Sequence, residues 1–282
     1  MSIEELATNV ELREPGFWVA RTSSAVSYPE DGNAWCFSIE DSSFWFAHRN
    51  RCIVEIFRRF PPSGLVLDVG GGNGCVASAI ERAGWHVALV EPGLQGALNA
   101  RTRGLSTVIN STFDDAGFKE GSIHAVGLFD VLEHIQDDSA FLNSIRSTLT
   151  RSGRLYLTVP AFNVLWSHDD VVAGHFRRYA SPSIRRTVTQ AGYRVDFLTH
   201  LFFPLPLPIF LSRALPTKAG LRKTIDWEKE KEQHLRPGGL SGRWLEKILS
   251  IEADILRRGY SIPFGGSIMV VASRNEWSAG SV

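Results

Sequence analysis

Two acids and a run of glycines carry the clearest chemistry in this sequence. Val66-Leu67-Asp68-Val69-Gly70-Gly71-Gly72-Asn73-Gly74 places an acid two residues ahead of a glycine-rich turn. Glycines let the backbone turn sharply and approach a ligand with no Cβ in the way. A helix opening beyond such a turn offers unpaired N–H groups. The second acid, Glu91 in Val90-Glu91-Pro92, stands at a predicted strand end about 20 residues beyond the loop, where an acid accepts from ribose hydroxyls. A nucleotide-type ligand is indicated. A dinucleotide loop wants G-x-G-x-x-G or A, but counting from Gly70 that last position is Cys75, and the third glycine falls one residue early at Gly74. The spacing is GxGxG. No Gly-Lys-Ser/Thr follows, which excludes a P-loop.

A second set of reactive residues comes later. His134, His168 and His175 follow the fourth and fifth predicted strands, on the carboxyl-end side of the sheet where α/β proteins bind ligands. A histidine titrates near neutrality and suits a general base. Asp169 adjoins His168 in a His168-Asp169-Asp170 cluster. The cluster has metal-site composition, but no metal is expected there.

The elements that hold these residues alternate. Leu65–Val69 reads as a strand, Cys75–Ala83 as a helix, His86–Val90 as a strand and Leu94–Arg103 as a helix. A brief strand falls around Thr107–Ile109, then Ile123–Phe129, a helix over Ser139–Leu149 and a strand over Arg154–Val159. After Pro160 come a polar loop, a helix opened by Ser181-Pro182, and strands over Tyr193–Leu201 and Ser267–Ser273. Alternating strands and helices predict an α/β fold with a doubly wound, mostly parallel, seven-stranded sheet. Residues 1–60 are rich in Trp and Phe and read as an N-terminal helical cap, with a helix from about Ser43 to Phe60 capped by Asp41 or Ser42. The sheet core then takes 61–203 and 263–275, and residues 204–262 form a helical lid inserted before the last strand.

Composition narrows the function. The 282 residues carry 30 basic and 30 acidic side chains and are 44% hydrophobic, which excludes wholesale disorder and argues against a dedicated nucleic-acid binder. Three cysteines, none in a CxxC pair, support neither a disulfide framework nor a zinc ribbon. The acidic N-terminus is not a signal peptide, and Leu201–Leu211, with three prolines, is too short to span a bilayer. A cytoplasmic setting with no transmembrane span is expected. The neutrality is a cancellation: residues 165–258 hold 16 Lys and Arg against 10 Asp and Glu, while residues 1–60 hold 6 against 9. An apolar run beside a basic stretch suits a solvated helical lid, an amphipathic acceptor or contact with a membrane surface.

LDVGGGNG resembles the first motif of class I S-adenosylmethionine-dependent methyltransferases, and VEP the second. Ser122–Ile135 resembles the fourth-strand motif of the type 11/12, ubiquinone-biosynthesis-like group, and Ser152–Pro160 its fifth strand. The likeness covers about residues 45–200 and 266–274. FWFAHRN (Phe44–Asn50) and WSHDDVVAGHFRRY (Trp166–Tyr179) resemble a bacterial subgroup of unassigned substrate. The resemblance implies S-adenosyl-L-methionine as cofactor. It implies that Asp68 faces the methionine amino group, that Gly70, Gly72 and Gly74 let the backbone pass, and that Glu91 takes both ribose hydroxyls. Asp130, Leu132 and His134 would line the methionine side. The acid the family commonly places near the adenine amino group falls here on Thr112, with Phe113 flanking the ring and Asp114 as a substitute in a shifted register.

Methyl transfer to a small, amphipathic or aromatic acceptor follows, O-methylation first and N- or C-methylation close behind. His168, His175, Asp169 and His134 are the candidate catalytic groups. Trp45, Phe46, Arg177, Arg178 and Tyr179 are candidates for the acceptor. The alternative is a catalytically silent cofactor-binding scaffold or regulator.

Overall fold

The computed structural model describes residues 2–22, 30–222, 224 and 239–275. A short helix α1 (Ile3–Leu6) precedes strands β1 (Val10–Glu14) and β2 (Phe17–Ala20), then helices α2 (Glu30–Ile39) and α3 (Phe44–Arg59). The alternating part runs β3 (Val66–Val69), α4 (Cys75–Arg82), β4 (Val87–Val90), α5 (Leu94–Thr102), β5 (Val108–Asn110), α6 (Phe113–Ala116), β6 (Ile123–Phe129), α7 (Asp138–Thr148) and β7 (Leu149–Pro160). There follow α8 (His168–Val172), α9 (Ser181–Gln190), β8 (Tyr193–Leu201), α10 (Pro206–Ile209), α11 (Leu215–Lys218), α12 (Gly239–Arg257) and β9 (Ser267–Arg274).

Among the described residues all strands join one sheet in the order β1-β2-β5-β4-β3-β6-β7-β9-β8. It has nine strands, not the expected seven. The two extra strands form an antiparallel hairpin whose β2 lies parallel to β5, with Phe17 opposite Val108. Burial explains the addition: Phe17 and Trp18 are 7% and 8% exposed, and the hairpin covers what would be an open edge. The expected all-helical cap over 1–60 is corrected accordingly. Strand β9 runs antiparallel to both neighbours, so β6, β7 and β8 end on the same side as β9 begins.

Alternation along the strands sends apolar side chains to both faces. Leu67, Val126 and Leu155 pack with Leu142 and Ile184 on one face, and Val66, Ala125 and Tyr156 with Ile53, Ile80 and Leu256 on the other. Helix α3 begins one residue later than predicted. Ser43 is the N-cap, its Oγ accepting from the N–H groups of Trp45 and Phe46 at 3.2 and 3.5 Å. Between β8 and β9 lie α10, a π-helical turn (Phe210–Ala214), α11 and α12. No helix among the described residues is long and apolar enough to cross a membrane.

Candidate active site

The strand order reverses at β3, which has β4 on one side and β6 on the other. Open α/β sheets bind ligands at such a switch point, outside the carboxyl ends of the strands. The glycine loop leaves β3 there. Gly70, Gly72 and Gly74 have φ of 68°, 55° and 74°, values that favour glycine. A Cβ on Gly74 would stand 2.6 Å from Leu105 Cδ1, and one on Gly71 2.6 Å from Asp68 Oδ2. The loop is thus pressed onto the acid that precedes it.

Asp68 is fully buried and neither carboxylate oxygen makes a hydrogen bond of normal geometry. Burial pushes its pKa up to about 7, against the pull of Arg49 and the Ala77 N–H and with a push from Glu91. Glu91 accepts from the Gly72 and Gly93 N–H groups at 2.9 and 2.8 Å. Burial raises its pKa, and these two bonds oppose the rise.

The departure at Thr112 has a local cause. Its Oγ1 caps α6, accepting from the Asp115 N–H at 3.0 Å, so the residue serves the helix. Asp114 Oδ1 accepts from the Ser144 hydroxyl on α7 at 3.3 Å. Phe113 packs against Phe118 and Phe141 with 5% exposure. It belongs to the core on that face of the sheet.

Arg49, which the sequence reading passed over, links the two halves of the site. Helix α3 carries its guanidinium to Asp130, where it forms an ion pair, and its charge also acts on Asp68 and Glu133. The Thr158 Oγ1 donates to the other Asp130 oxygen at 2.9 Å. Asp130 has a φ of 59°. So do two other corners at strand ends, Phe162 at 57° and Phe202 at 60°. Non-glycine residues held at such angles cluster at ligand sites, where surrounding contacts over-determine them.

A cavity of about 820 Å³ opens at these strand ends. Its polar wall includes Asp130, Glu133, His134, His175 and Arg178, and its apolar wall Trp45, Leu205, Ile209 and Leu211. Trp45 stacks on Phe202 with ring centroids 3.8 Å apart. His175 Nδ1 is 2.8 Å from Asp170 Oδ1. Asp170 also accepts from Arg178 Nε at 2.7 Å and the Ser167 N–H at 2.8 Å, and these bonds hold its pKa down to about 2 against burial. His134 meets His175 edge-on, with centroids 4.7 Å apart. Burial, reinforced by His175, depresses its pKa to about 4, while Asp130 and the carbonyls of Ala173 and Gly174 resist. Glu133 is 1% exposed and its Oε2 has no hydrogen-bond partner. Burial and Asp130 push its pKa well up.

Of the expected catalytic and acceptor residues, His175, His134, Trp45 and Arg178 therefore meet at one cavity, and Arg178 is spent on Asp170. The others lie elsewhere. His168 donates its backbone N–H to Thr217 and is not on the cavity wall. Asp169 pairs with Arg222 at 2.7 Å and Arg213 at 3.4 Å, tying α8 to the insertion. Phe46 lies under the Arg49 guanidinium. Arg177 and Tyr179 both bind Asp138, at 2.8 Å each. Leu132 is fully buried core. Asp170 was visible in the sequence as the end of a Ser167-x-x-Asp170 capping box. Nothing local marked Arg49 or Glu133.

The methyltransferase-domain family matches residues 44–197. The ubiquinone biosynthesis O-methyltransferase of Xylella fastidiosa is 30% identical over 110 residues, covering 36% of this chain and 45% of that protein. The protein of the same name from Xanthomonas axonopodis pv. citri is 31% identical over 107 residues, again 36% and 45%. The match thus spans less than half the length of these curated relatives. Among solved structures, the putative methyltransferase of Haloferax volcanii, in complex with its activator, has a TM-score of 0.57 at 17% identity, covering 89% of this chain and 97% of its own. A Thermotoga maritima protein described as a possible histamine N-methyltransferase gives 0.53 at 15%, covering 87% and 95%. These likenesses establish the fold. The chain belongs to the class I S-adenosylmethionine-dependent methyltransferases.

The residues present fit that cofactor. Asp68 offers two unmatched carboxylate oxygens under a loop that only glycine can form, and Glu91 stands at the next strand end. Glu91→Ala removes a carboxylate that accepts from the Gly72 N–H of the loop and from the Gly93 N–H at the start of α5. The expected result is at least about tenfold weaker S-adenosylhomocysteine binding, read by calorimetry.

Proposed function

We propose that this chain methylates a hydroxyl of a small amphipathic or aromatic acceptor, using S-adenosyl-L-methionine, with His175 as general base. N- and C-methylation are the next readings. The carrying observation is that His175 lies on the cavity wall with its Nδ1 against a buried, ionised Asp170. That partner holds the ring's orientation and stabilises the imidazolium formed when the other ring nitrogen takes a proton, the arrangement of a base with its orienting acid. When bound, S-adenosylmethionine supplies a methyl group on a sulfonium, already activated for displacement. The protein's tasks are then to bind and align both partners, exclude water and remove a proton. Asp68, Glu91 and Arg49 are assigned to the cofactor. Asp130, and His134 with its imidazole kept neutral by burial, are assigned to its methionine side and the edge of the acceptor.

The insertion between β8 and β9 is proposed as the acceptor lid, since Leu205, Ile209 and Leu211 supply the cavity's apolar wall. Leu207, Leu211 and Leu215, spaced four apart, are 65%, 54% and 46% exposed, a stripe that supports contact of this lid with a membrane surface.

His175→Asn and Asp170→Asn test the base. In a mass-spectrometric screen with hydroxylated aromatic acceptors, turnover should fall at least about a hundredfold in His175→Asn, with homocysteine-product affinity kept. Wild-type turnover in both variants would remove the base. A chain that binds the cofactor and methylates no acceptor is the scaffold instead. A second reading rests on ligand atoms of Glu133, His134 and His175 lying within 4.8 Å of one another, close enough to share a divalent cation. Turnover abolished by a chelator and restored by a metal would favour it.

A further inference from the structure

Helices α3 and α12 enclose a second groove, of about 650 Å³, which meets the acceptor cavity at Phe44. Phe44, Ala47 and Arg51 line it from α3, and Arg243, Glu246 and Lys247 from α12. Both sets follow the three- and four-residue spacing that puts side chains on one helix face. Arg51, Arg243 and Lys247 are all exposed, and among the described residues none has a carboxylate within ion-pair distance. This is unlike the other cations near the site: Arg103, Arg178 and Arg222 each hold a carboxylate at 2.7 Å. Lys247 is held over the Trp244 ring, 5.5 Å from its centroid, so the ammonium is partly ordered in advance.

Three cations face each other across one groove with a single acid among them. Their mutual repulsion falls when a multiply charged anion sits between them. A phosphate group has the charge and the several acceptor oxygens to bond guanidinium and ammonium donors together. Phe44, with the buried Leu249 behind it, suits an apolar or ring-bearing portion next to that phosphate. We propose that the α3–α12 groove is a second ligand site, which binds a phosphate-bearing group beside the acceptor cavity. The site stands independently of whether His175 is the base.

The full-length protein is titrated with pyrophosphate and with glycerol 3-phosphate by calorimetry, and separately floated with phosphatidylglycerol–phosphatidylcholine vesicles. The double variant Arg51→Glu/Lys247→Glu changes two exposed positions and is checked by circular dichroism and by homocysteine-product binding, which should be unaltered. Wild-type binding to at least one probe should weaken with added salt and fall tenfold or more in the variant. Loss of pyrophosphate or glycerol 3-phosphate binding identifies a soluble phosphate ligand. Loss confined to the anionic vesicles identifies a lipid headgroup. Failure of every probe to bind, equal binding by the variant, or equal flotation with phosphatidylcholine alone overturns the site.

Discussion

Asp68→Asn should make the free protein more stable at pH 8 and, at the same pH, a poor binder of S-adenosylhomocysteine. The two effects share one cause. Asp68 is fully buried with no hydrogen bond of normal geometry to either oxygen, and its pKa lies at about 7 against an ordinary value of 3.8. A carboxyl whose folded pKa is raised gives stability that is present below the unfolded value and is lost as pH climbs to the folded one. The full loss over that window corresponds to about 4 kcal/mol. Asparagine cannot ionise and escapes it, but burying an amide without partners costs about 1–3 kcal/mol in return. The net gain at pH 8 is therefore smaller than the window. The pH dependence is the decisive readout: the difference between variant and wild type in urea unfolding should open between pH 4 and pH 8. A difference that stays flat would show that Asp68 is already satisfied. With Asp68 proposed to face the methionine amino group, affinity moves the other way, because only the ionised carboxylate complements a positively charged amino group. Wild-type affinity should accordingly rise with pH through about 7, and Asp68→Asn should lack that rise.

Arg49→Met should cost about 3–5 kcal/mol at pH 8, the range for removing one partner of a buried ion pair. Methionine keeps much of the side chain's length and apolar bulk, so the loss reports charge more than packing. What it leaves behind is Asp130 without its cation, and Asp68 and Glu133 without the charge that favours their ionised forms. Asp130 remains 28% exposed and keeps the Thr158 bond, which points to the lower half of the range. The cost should shrink toward pH 5, where Asp68, with its pKa at about 7, is protonated and needs no cation. Urea midpoints at pH 5 and 8 check both statements. Equal destabilisation at the two values would mean that Arg49 acts through the Asp130 pair and packing, and not through Asp68.

The carboxylate–cation arrangement also explains which parts of the site were legible in the sequence. Asp68, the GxGxG turn and Glu91 are local: an acid, a turn that needs positive φ, and a strand end lie within one β–α–β stretch, so spacing alone places them. The strands over Tyr193–Leu201 and Ser267–Ser273 were equally readable, because strands appear as short apolar runs. The edge hairpin was not. Val10–Ala20 alternates weakly, and it becomes a strand pair only because β5 leaves an edge where Phe17 and Trp18 can bury.

Among the histidines, sequence offered His134, His168 and His175 on equal terms, since all three follow the right strands. The fold separated them by turning α8. The Ser167–Asp170 capping box points Asp170 inward to His175 and Arg178, and leaves Asp169 to pair with Arg213 and Arg222. Two adjacent acids thus take opposite roles through one helical step of about 100°. Arg49 and Glu133 lie 84 positions apart in sequence and act together only because α3, packed on one face of the sheet, carries Arg49 to the end of β6. By itself the sequence determined the family, the seven strands β3 to β9 of the sheet and the cofactor loop, since these follow from local pattern. Tertiary structure alone decided which acid backs which histidine, because that depends on how helices from distant segments pack over the same strand ends.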